Sequence, residues 1–248
     1  MQQSPLVDGP VADAAPIAAP TQDIDDFIYL MSHDVRASVR ALLELPQWIA
    51  EDLSDAGISV TGSVAQSIDL MNRHTARLDR MLADLLAYSR VGRMQETREV
   101  DFSAALDEVL GAVKLPEGFR LIRHFGCARG VMGEQDILTL WSALISNAVK
   151  HHDRDTGKIA VQTMQEGEMI RFTVMDDGPG IEEPMRARAL EAMTTLRPRD
   201  EVEGTGMGLA NVRKMASHYG GSITLSAARP DGRGLRVDLL LPANIVPD

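Results

Sequence analysis

Four short stretches of this chain carry side chains suited to chemistry. The first is Leu30–Arg40, LMSHDVRASVR, where His33 stands beside Asp34. An imidazole next to a carboxylate can lose or gain a proton near neutral pH, which suits nucleophilic or acid–base work. The second is Asn147-Ala148-Val149-Lys150-His151, at the end of an expected helix. An Asn amide oxygen is a hard ligand of the kind Mg²⁺ takes, and Lys150, about one helical turn on, can reach a phosphate. The third is Asp176-Asp177-Gly178-Pro179-Gly180-Ile181, directly after an apolar strand. Asp176 can accept from an exocyclic amine such as that of adenine. The fourth is Gly204-Thr205-Gly206-Met207-Gly208-Leu209, opening a helix. Glycines ahead of a helix let backbone donors approach phosphate oxygens, aided by the helix dipole.

Each stretch alone has a dull reading. A lone histidine is usually a solvated surface residue, Asp-Gly-Pro-Gly is commonly a turn, and glycine-rich turns are frequent. Order and spacing raise the odds: Asp176 follows Asn147 by 29 residues, and Gly204 follows Asp176 by 28. The GxxxxGK[ST] phosphate loop is absent, as is an opening strand–glycine–helix dinucleotide unit.

These residues need elements to position them. Ile28, Met31, Val35, Leu42, Leu45 and Ile49 follow a heptad spacing interrupted by Ser38. They predict a helix over 22–56 with a coiled-coil-like seam, with His33 off that seam and toward water. Pro46 removes one backbone donor and is expected to bend this helix. Gly57 and Gly62 bracket a turn. A second helix is expected over 63–94, with Val64, Ile68, Met71, Thr75, Leu78, Leu82 and Leu85 as its seam. Two such helices cannot close a core alone. Two paired hairpins can, which predicts a homodimeric four-helix bundle.

Beyond a polar linker at Gly92–Val100 the pattern changes. Helices are expected at 102–113, 134–151 and 206–219, the last ended by Gly220-Gly221. Strands are expected at 119–125, 158–164, 169–175, 222–227 and 235–241, with hairpins at Glu166-Gly167 and Pro230–Gly234. A long polar connection with one helical piece fills 182–203. The fold class is therefore α+β: an antiparallel helical hairpin, then a two-layer α/β sandwich. Three regions follow: a disordered Ala/Pro/Gln-rich tail over 1–21, the hairpin over 22–95, and the second domain over 96–248.

Composition narrows the class. The chain has 248 residues, enough for one large or two ordinary domains, and 25% charged residues. Its net charge of −11 argues against general nucleic-acid binding or attraction to an anionic membrane. The single cysteine, Cys127, excludes an internal disulfide and fits a reducing compartment. With no long apolar run and no signal-peptide pattern, a soluble cytoplasmic protein is expected. No sensory domain is expected ahead of His33.

The four stretches together resemble a two-component sensor histidine kinase, over about Gln22 to Pro242. Leu30–Arg40 is similar to the phosphoacceptor box, Leu144–His151 to the N box, Asp176–Ile181 to the G1 box and Gly204–Leu209 to the G2 box. The run Leu78–Arg93 resembles the second bundle helix, notably of phytochrome-like kinases. The resemblance implies ATP and Mg²⁺ as cofactors and His33 as the residue phosphorylated on a ring nitrogen, with Asp34 as its base. It implies Asn147 on Mg²⁺, Lys150 on the phosphates and His151 against the adenine. It implies Asp176 on the adenine amine, with Gly178, Gly180 and Ile181 shaping that pocket. Gly204, Thr205, Gly206, Met207, Gly208 and Leu209 would form the phosphate lid, and Arg197 or Arg199 would neutralise charge during transfer. The implied partners are a second copy of the chain, a response-regulator receiver domain whose aspartate takes the phosphoryl group, and a separate sensor protein.

Four departures accompany the resemblance. Ser38 replaces the usual proline of the first box. Ala37 replaces the polar residue that helps position water for dephosphorylation, which implies weak phosphatase activity. Ala143 stands where the N box has its first Asn, and the aromatic box is not recognisable in 182–199. In gyrase- and chaperone-type ATPases a catalytic Glu precedes the N-box Asn by four residues, so Ala143 leaves no such base. A histidine-free anti-sigma kinase is opposed by the hairpin that carries His33. The alternative is a non-enzymatic histidine phosphotransfer protein with a degenerate ATP-binding domain.

Overall fold

The computed structural model describes residues 20–93, 95–197 and 204–243. Of the expected tail, residues 1–19 lie outside the described residues, while Pro20 and Thr21 already belong to the first helix.

That helix, α1, is Pro20–Asp55, and α2 is Gly62–Arg90. They pair as an antiparallel hairpin around a turn where Gly57 has φ 73° and Gly62 φ 59°, the left-handed region that glycine enters without a Cβ penalty. Helix α1 continues through Pro46, which is itself buried.

The row that closes the hairpin differs from the expected seam of α1. Ser32, Val39 and Pro46 are buried, with Arg36, Leu43 and Ala50 half-buried along the same stripe. Met31, Val35, Leu42, Leu45 and Ile49 lie one position earlier and stay exposed, Met31 at 47%. One residue is about 100° of helix, so the two rows are adjacent stripes. The apolar periodicity was real, but it marks a face that this hairpin leaves unfilled. On α2 the inner row is Ile68, Thr75, Leu82, Leu86 and Ser89, while Val64, Met71 and Leu78 of the expected seam are exposed.

The polar linker expected at Gly92–Val100 is instead docked and partly a strand. Val91 joins the core of the second domain, and β1 spans Thr97–Asp101. It pairs antiparallel with β3, Arg129–Gly133, in a two-stranded sheet with Glu99 opposite Val131. Neither strand alternates enough to announce itself.

The remaining elements are α3 (Phe102–Ala112), β2 (Phe119–Phe125), α4 (Glu134–Lys150), β4 (Gly157–Glu166), β5 (Met169–Asp176), α5 (Glu183–Ala189), α6 (Gly208–His218), β6 (Ser222–Ala227) and β7 (Leu235–Pro242). Asp101 caps α3 by accepting from the backbone N–H of Ser103 and Ala104, both at 3.0 Å. The main sheet has the order β2-β4-β5-β7-β6, with β2 parallel to β4 and the other pairs antiparallel.

Strand alternation turns Ile159 and Val161, Ile170, Phe172 and Val174, and Val237 and Leu239 to one face. Helices α3, α4 and α6 cover that face. Trp141 of α4 is fully buried, and its indole N–H donates to the Phe102 carbonyl at 3.1 Å. The Phe102 and Phe172 rings meet edge-on at 4.8 Å. This is the expected two-layer sandwich, with the ends of α4, β5 and α6 gathered at one side.

The hairpin is tied to the sandwich by named contacts. The backbone N–H of Gly92 donates to Asp136 Oδ2 at 3.0 Å. The Tyr219 hydroxyl donates to the same oxygen and accepts from the Gly133 N–H at 3.0 Å. Lys214 donates to the Tyr88 carbonyl at 2.7 Å and lies 4.3 Å from the centre of the Tyr88 ring.

Candidate functional site

His33 lies on α1 with its side chain 72% exposed, and its Nδ1 is 3.2 Å from Asp34 Oδ1. With Asp34 accepting, the ring proton sits on Nδ1 and leaves the Nε2 lone pair open. Position 33 follows the buried Ser32 by one residue, which turns the imidazole toward water.

The other three stretches meet in one cavity of about 960 Å³. Its first wall is a face of α4. Thr139, Ser142, Ala143, Ser146, Asn147 and Lys150 recur at steps of three and four, so they share one side of the helix. His151 caps α4, its backbone N–H donating to Asn147 O at 3.1 Å. Burial, then the charges of Arg197 and Lys150, holds the His151 imidazole below its usual range and so favours the neutral ring.

The second wall is the loop after β5. Asp176 Oδ1 accepts from the Gly178 N–H at 2.9 Å and the Leu235 N–H at 3.1 Å. Burial pushes this carboxyl up despite those two bonds. Asp177 does a different job, accepting from the Lys158 N–H at 2.6 Å and pairing with His152 Nε2 at 3.2 Å. Burial alone would raise its carboxyl, but the Lys158 amide, His152 and Arg229 outweigh that and hold it low. Gly180 has φ 76°, and a Cβ there would sit 2.8 Å from the Gly234 carbonyl. Only glycine lets these two loops close together.

The third wall is the loop before α6. Gly206 has φ 75°, and a Cβ on it would collide with the Thr194 backbone. Gly204, Thr205, Gly208 and Leu209 line the cavity, as do Gly180 and Ile181. Two expected residues do not. Gly178 shapes the loop from behind through its bond to Asp176, and Met207 is buried as the cap of α6. The helix starts at Gly208 rather than Gly206, because Gly206 takes a left-handed conformation no helix continues through. Arg197 lines the cavity, while Arg199 lies outside the described residues.

Several cavity residues were missed in the sequence. Asp84 and Ala87 come from α2, and the Thr205 hydroxyl donates to Asp84. Nothing local to α2 signals that contact. Asn211 lines the cavity from α6, one turn past the glycine run, a polar residue on a helix face otherwise buried. Among the described residues, no three His, Cys, Asp or Glu side chains gather as a metal site.

Residues 132–245 match the family described as histidine kinase-, DNA gyrase B-, and HSP90-like ATPase. Over most of its length the chain is similar to sensor histidine kinases. It is 26% identical over 91% of its length to the methanogenesis regulatory histidine kinase FilI of Methanothrix harundinacea, covering 25% of that protein. It is 28% identical over 87% of its length to the sensor histidine kinase ZraS of Escherichia coli, covering 45%. Against cyanobacterial phytochrome A of Nostoc sp. it is 25% identical over 85%, covering 28%. The chain thus spans between a quarter and just under half of these relatives. Full-length ShkA in complex with AMPPNP shares the fold, with a TM-score of 0.67 at 19% identity, covering 90% of this chain and 47% of that one. So does the histidine kinase ThkA in complex with the response regulator TrrA, with a TM-score of 0.60 at 16% identity, covering 91% and 64%.

Proposed function

We propose that this chain is an ATP-dependent protein-histidine kinase that phosphorylates His33 and passes the phosphoryl group to an aspartate of a receiver domain. The observation that carries this is the convergence of three separated polar stretches on one cavity beside a hairpin that exposes His33. Residues 22–95 are assigned to dimerisation and phosphotransfer, and 96–248 to nucleotide binding.

Asp176 is assigned to the adenine amine, with the neutral His151 ring and Ile181 beside the base. Lys150 and Arg197 supply positive charge for the phosphates, and the backbone of Gly204–Leu209 supplies donors. Asn147 supplies an oxygen for Mg²⁺, which when bound neutralises phosphate charge. In the transfer, the Nε2 lone pair of His33 bonds to the γ-phosphorus as its bond to the ADP oxygen breaks. Asp34 takes up the positive charge left on the ring through Nδ1–H. His33 is not among the cavity residues, so transfer requires the nucleotide domain to swing to the hairpin or to serve a second copy's His33.

The exposed row Met31, Val35, Leu42, Leu45 and Ile49 supports a homodimer. ThkA, of like fold, is known in complex with a response regulator, which supports a receiver as the partner that dephosphorylates His33.

The test is incubation of the protein with Mg²⁺ and γ-labelled ATP, with His33→Gln alongside. Acid-labile, alkali-stable label absent from the variant is the expected result. No label and no nucleotide binding by calorimetry would leave a phosphotransfer scaffold instead.

A further inference from the structure

Directly after α4, two consecutive residues reach the two loops that hold Asp176. The His152 side chain is 1% exposed, and its Nε2 lies 3.2 Å from Asp177 Oδ1, in the loop after β5. Asp153 accepts from the Arg233 guanidinium at 2.8 and 3.1 Å, in the turn between β6 and β7. Gly178 in the first loop and Leu235 at the end of the second supply the two amides that bond Asp176 Oδ1. The loops also bond each other, the Gly234 N–H donating to the Gly178 carbonyl at 2.8 Å. Asp176 Oδ2 bonds no described residue and is not sealed from solvent, so it is the oxygen left for a ligand. The two loops therefore set where that oxygen stands.

The His152 ring is held on every side. The Asp177 carboxyl is kept low, hence ionised at neutral pH, and can only accept, so the ring carries a proton on Nε2 and donates. The Arg154 N–H donates to Nδ1 at 3.1 Å. The ring meets Phe119 edge-on, with 5.1 Å between centres. A Cβ on Gly178 would lie 3.2 Å from His152 Cδ2 and 3.1 Å from Asp176 Oδ1, so imidazole and carboxylate close on the same glycine. The Lys158 N–H ties Asp177 to β4, whereas His152 ties it to the end of α4, the helix that brings Asn147 and His151 to the cavity. Neither His152 nor Asp177 lines the cavity itself. A buried polar side chain of this kind acts by fixing the groups that do touch a ligand, where a small displacement is costly.

We propose that His152 is a positioning residue for base recognition: its Nε2–H bond to Asp177 registers the loop against α4 so that Asp176 Oδ2 meets the 6-amino group of adenine. This rests on the assignment of Asp176 to the adenine amine. The groups assigned to the phosphates lie on other walls, so the effect falls on the base.

The experiment compares ADP with purine riboside diphosphate, which is ADP without its 6-amino group, by displacement of a fluorescent ADP analogue. Four chains are measured: unaltered, His152→Leu, His152→Phe and His152→Gln. Leu removes ring and donor, Phe removes the donor and keeps a ring for Phe119, and Gln places an amide N–H near the position of Nε2. ADP should bind about tenfold more weakly to the Leu and Phe chains, the worth of one hydrogen bond to a charged group. Purine riboside diphosphate should bind as before, and the Gln chain should keep most of its ADP affinity. Should His152→Leu not fold, the Phe and Gln chains carry the same comparison. Equal loss for both nucleotides would show a merely structural role and overturn the inference. Unchanged ADP affinity in the Phe chain, or the same loss in the Gln chain as in the Phe chain, would also overturn it, since the N–H would then do nothing for the base. An unaltered chain that binds both nucleotides equally would instead overturn the assignment of Asp176, and one that binds neither would overturn the proposed function.

Discussion

The Thr205 hydroxyl, in the glycine-rich loop ahead of α6, donates to the Asp84 carboxylate of α2, 121 residues earlier in the chain. Both residues line the cavity assigned to the nucleotide. The hairpin therefore reaches into the site it is proposed to be phosphorylated from, and it does so with a negative charge. A triphosphate bound there, as proposed, would meet that charge.

Asp84→Ala removes both the tether and the repulsion. For a partly exposed charge the gain is on the order of 1 kcal/mol, about fivefold in affinity. ATP binding should tighten by about that factor, ADP by less, and adenosine not at all, as measured by calorimetry at low salt. An equal gain for adenosine would mean that Asp84 acts by obstruction rather than by charge.

Asp176 gives a pH signature. Burial raises its carboxyl, so the folded chain holds that proton to a higher pH than the unfolded chain does. Across the interval from the ordinary carboxylate range up to the raised value, stability falls as pH rises, and above it the loss is complete. Asp176→Asn keeps an oxygen for the Gly178 and Leu235 amides and removes the charge. At neutral pH the ligand-free variant should melt at the same temperature or higher, by scanning fluorimetry. It should bind adenine nucleotides at least tenfold more weakly, because an amide serves the adenine amine less well and its other end is a donor. A variant that melts lower with unaltered binding would count against Asp176 as the adenine contact.

The Asp136–Tyr219 pair fixes the junction between hairpin and sandwich. Both are buried, burial raises Asp136, and burial and the Asp136 bond push the Tyr219 hydroxyl up. Tyr219→Phe leaves the Gly133 N–H without its acceptor and removes one bond to a charged group. The expected loss is about 2 kcal/mol in denaturant unfolding. Gly92→Ala attacks the same junction from the other side. Gly92 has φ 71°, and a Cβ there would collide with the His218 ring. Limited proteolysis near Val91 should be faster in both variants, and an unaltered cleavage rate would mean that other contacts hold the junction.

How much of this was legible depended on the range of the signal. The strands of the main sheet showed in the sequence because each alternates over several residues against a single core face, as at Ile159, Val161 and Thr163. Strands β1 and β3 did not, since each is five residues long and pairs with a partner some thirty residues away. Asn147, Lys150, His151, Asp176 and most of the glycines were found because each stretch is contiguous and its residue types are specific. Asp84 and Asn211 were not, since only the docking of α2 and of α6 brings them to the cavity. The sequence pattern places the α1 seam one residue off because the row facing the partner helix contains Ser32, Arg36 and Pro46, and the more apolar row is the stripe beside it.

That outward row carries the last prediction. Met31, Val35, Leu42, Leu45 and Ile49 keep heptad spacing along α1, and Val64, Met71 and Leu78 do so along α2, yet all are exposed in the single hairpin. A Leu moved from water to a packed interface contributes about 1.5–3 kcal/mol, so closing these stripes against a second hairpin is strongly favourable. Leu42→Glu with Leu45→Glu places two charges in that interface. The unaltered chain should sediment as a dimer and the double variant as a monomer of half the mass. Leu42 and Leu45 are 44% and 42% exposed on the stripe beside the buried Val39 and Pro46 row, so the variant's hairpin should persist and its cavity should still bind nucleotide. A dimer that survives the double substitution would place the contact between copies on another face. A monomeric unaltered chain would leave the apolar stripe to a different helical partner.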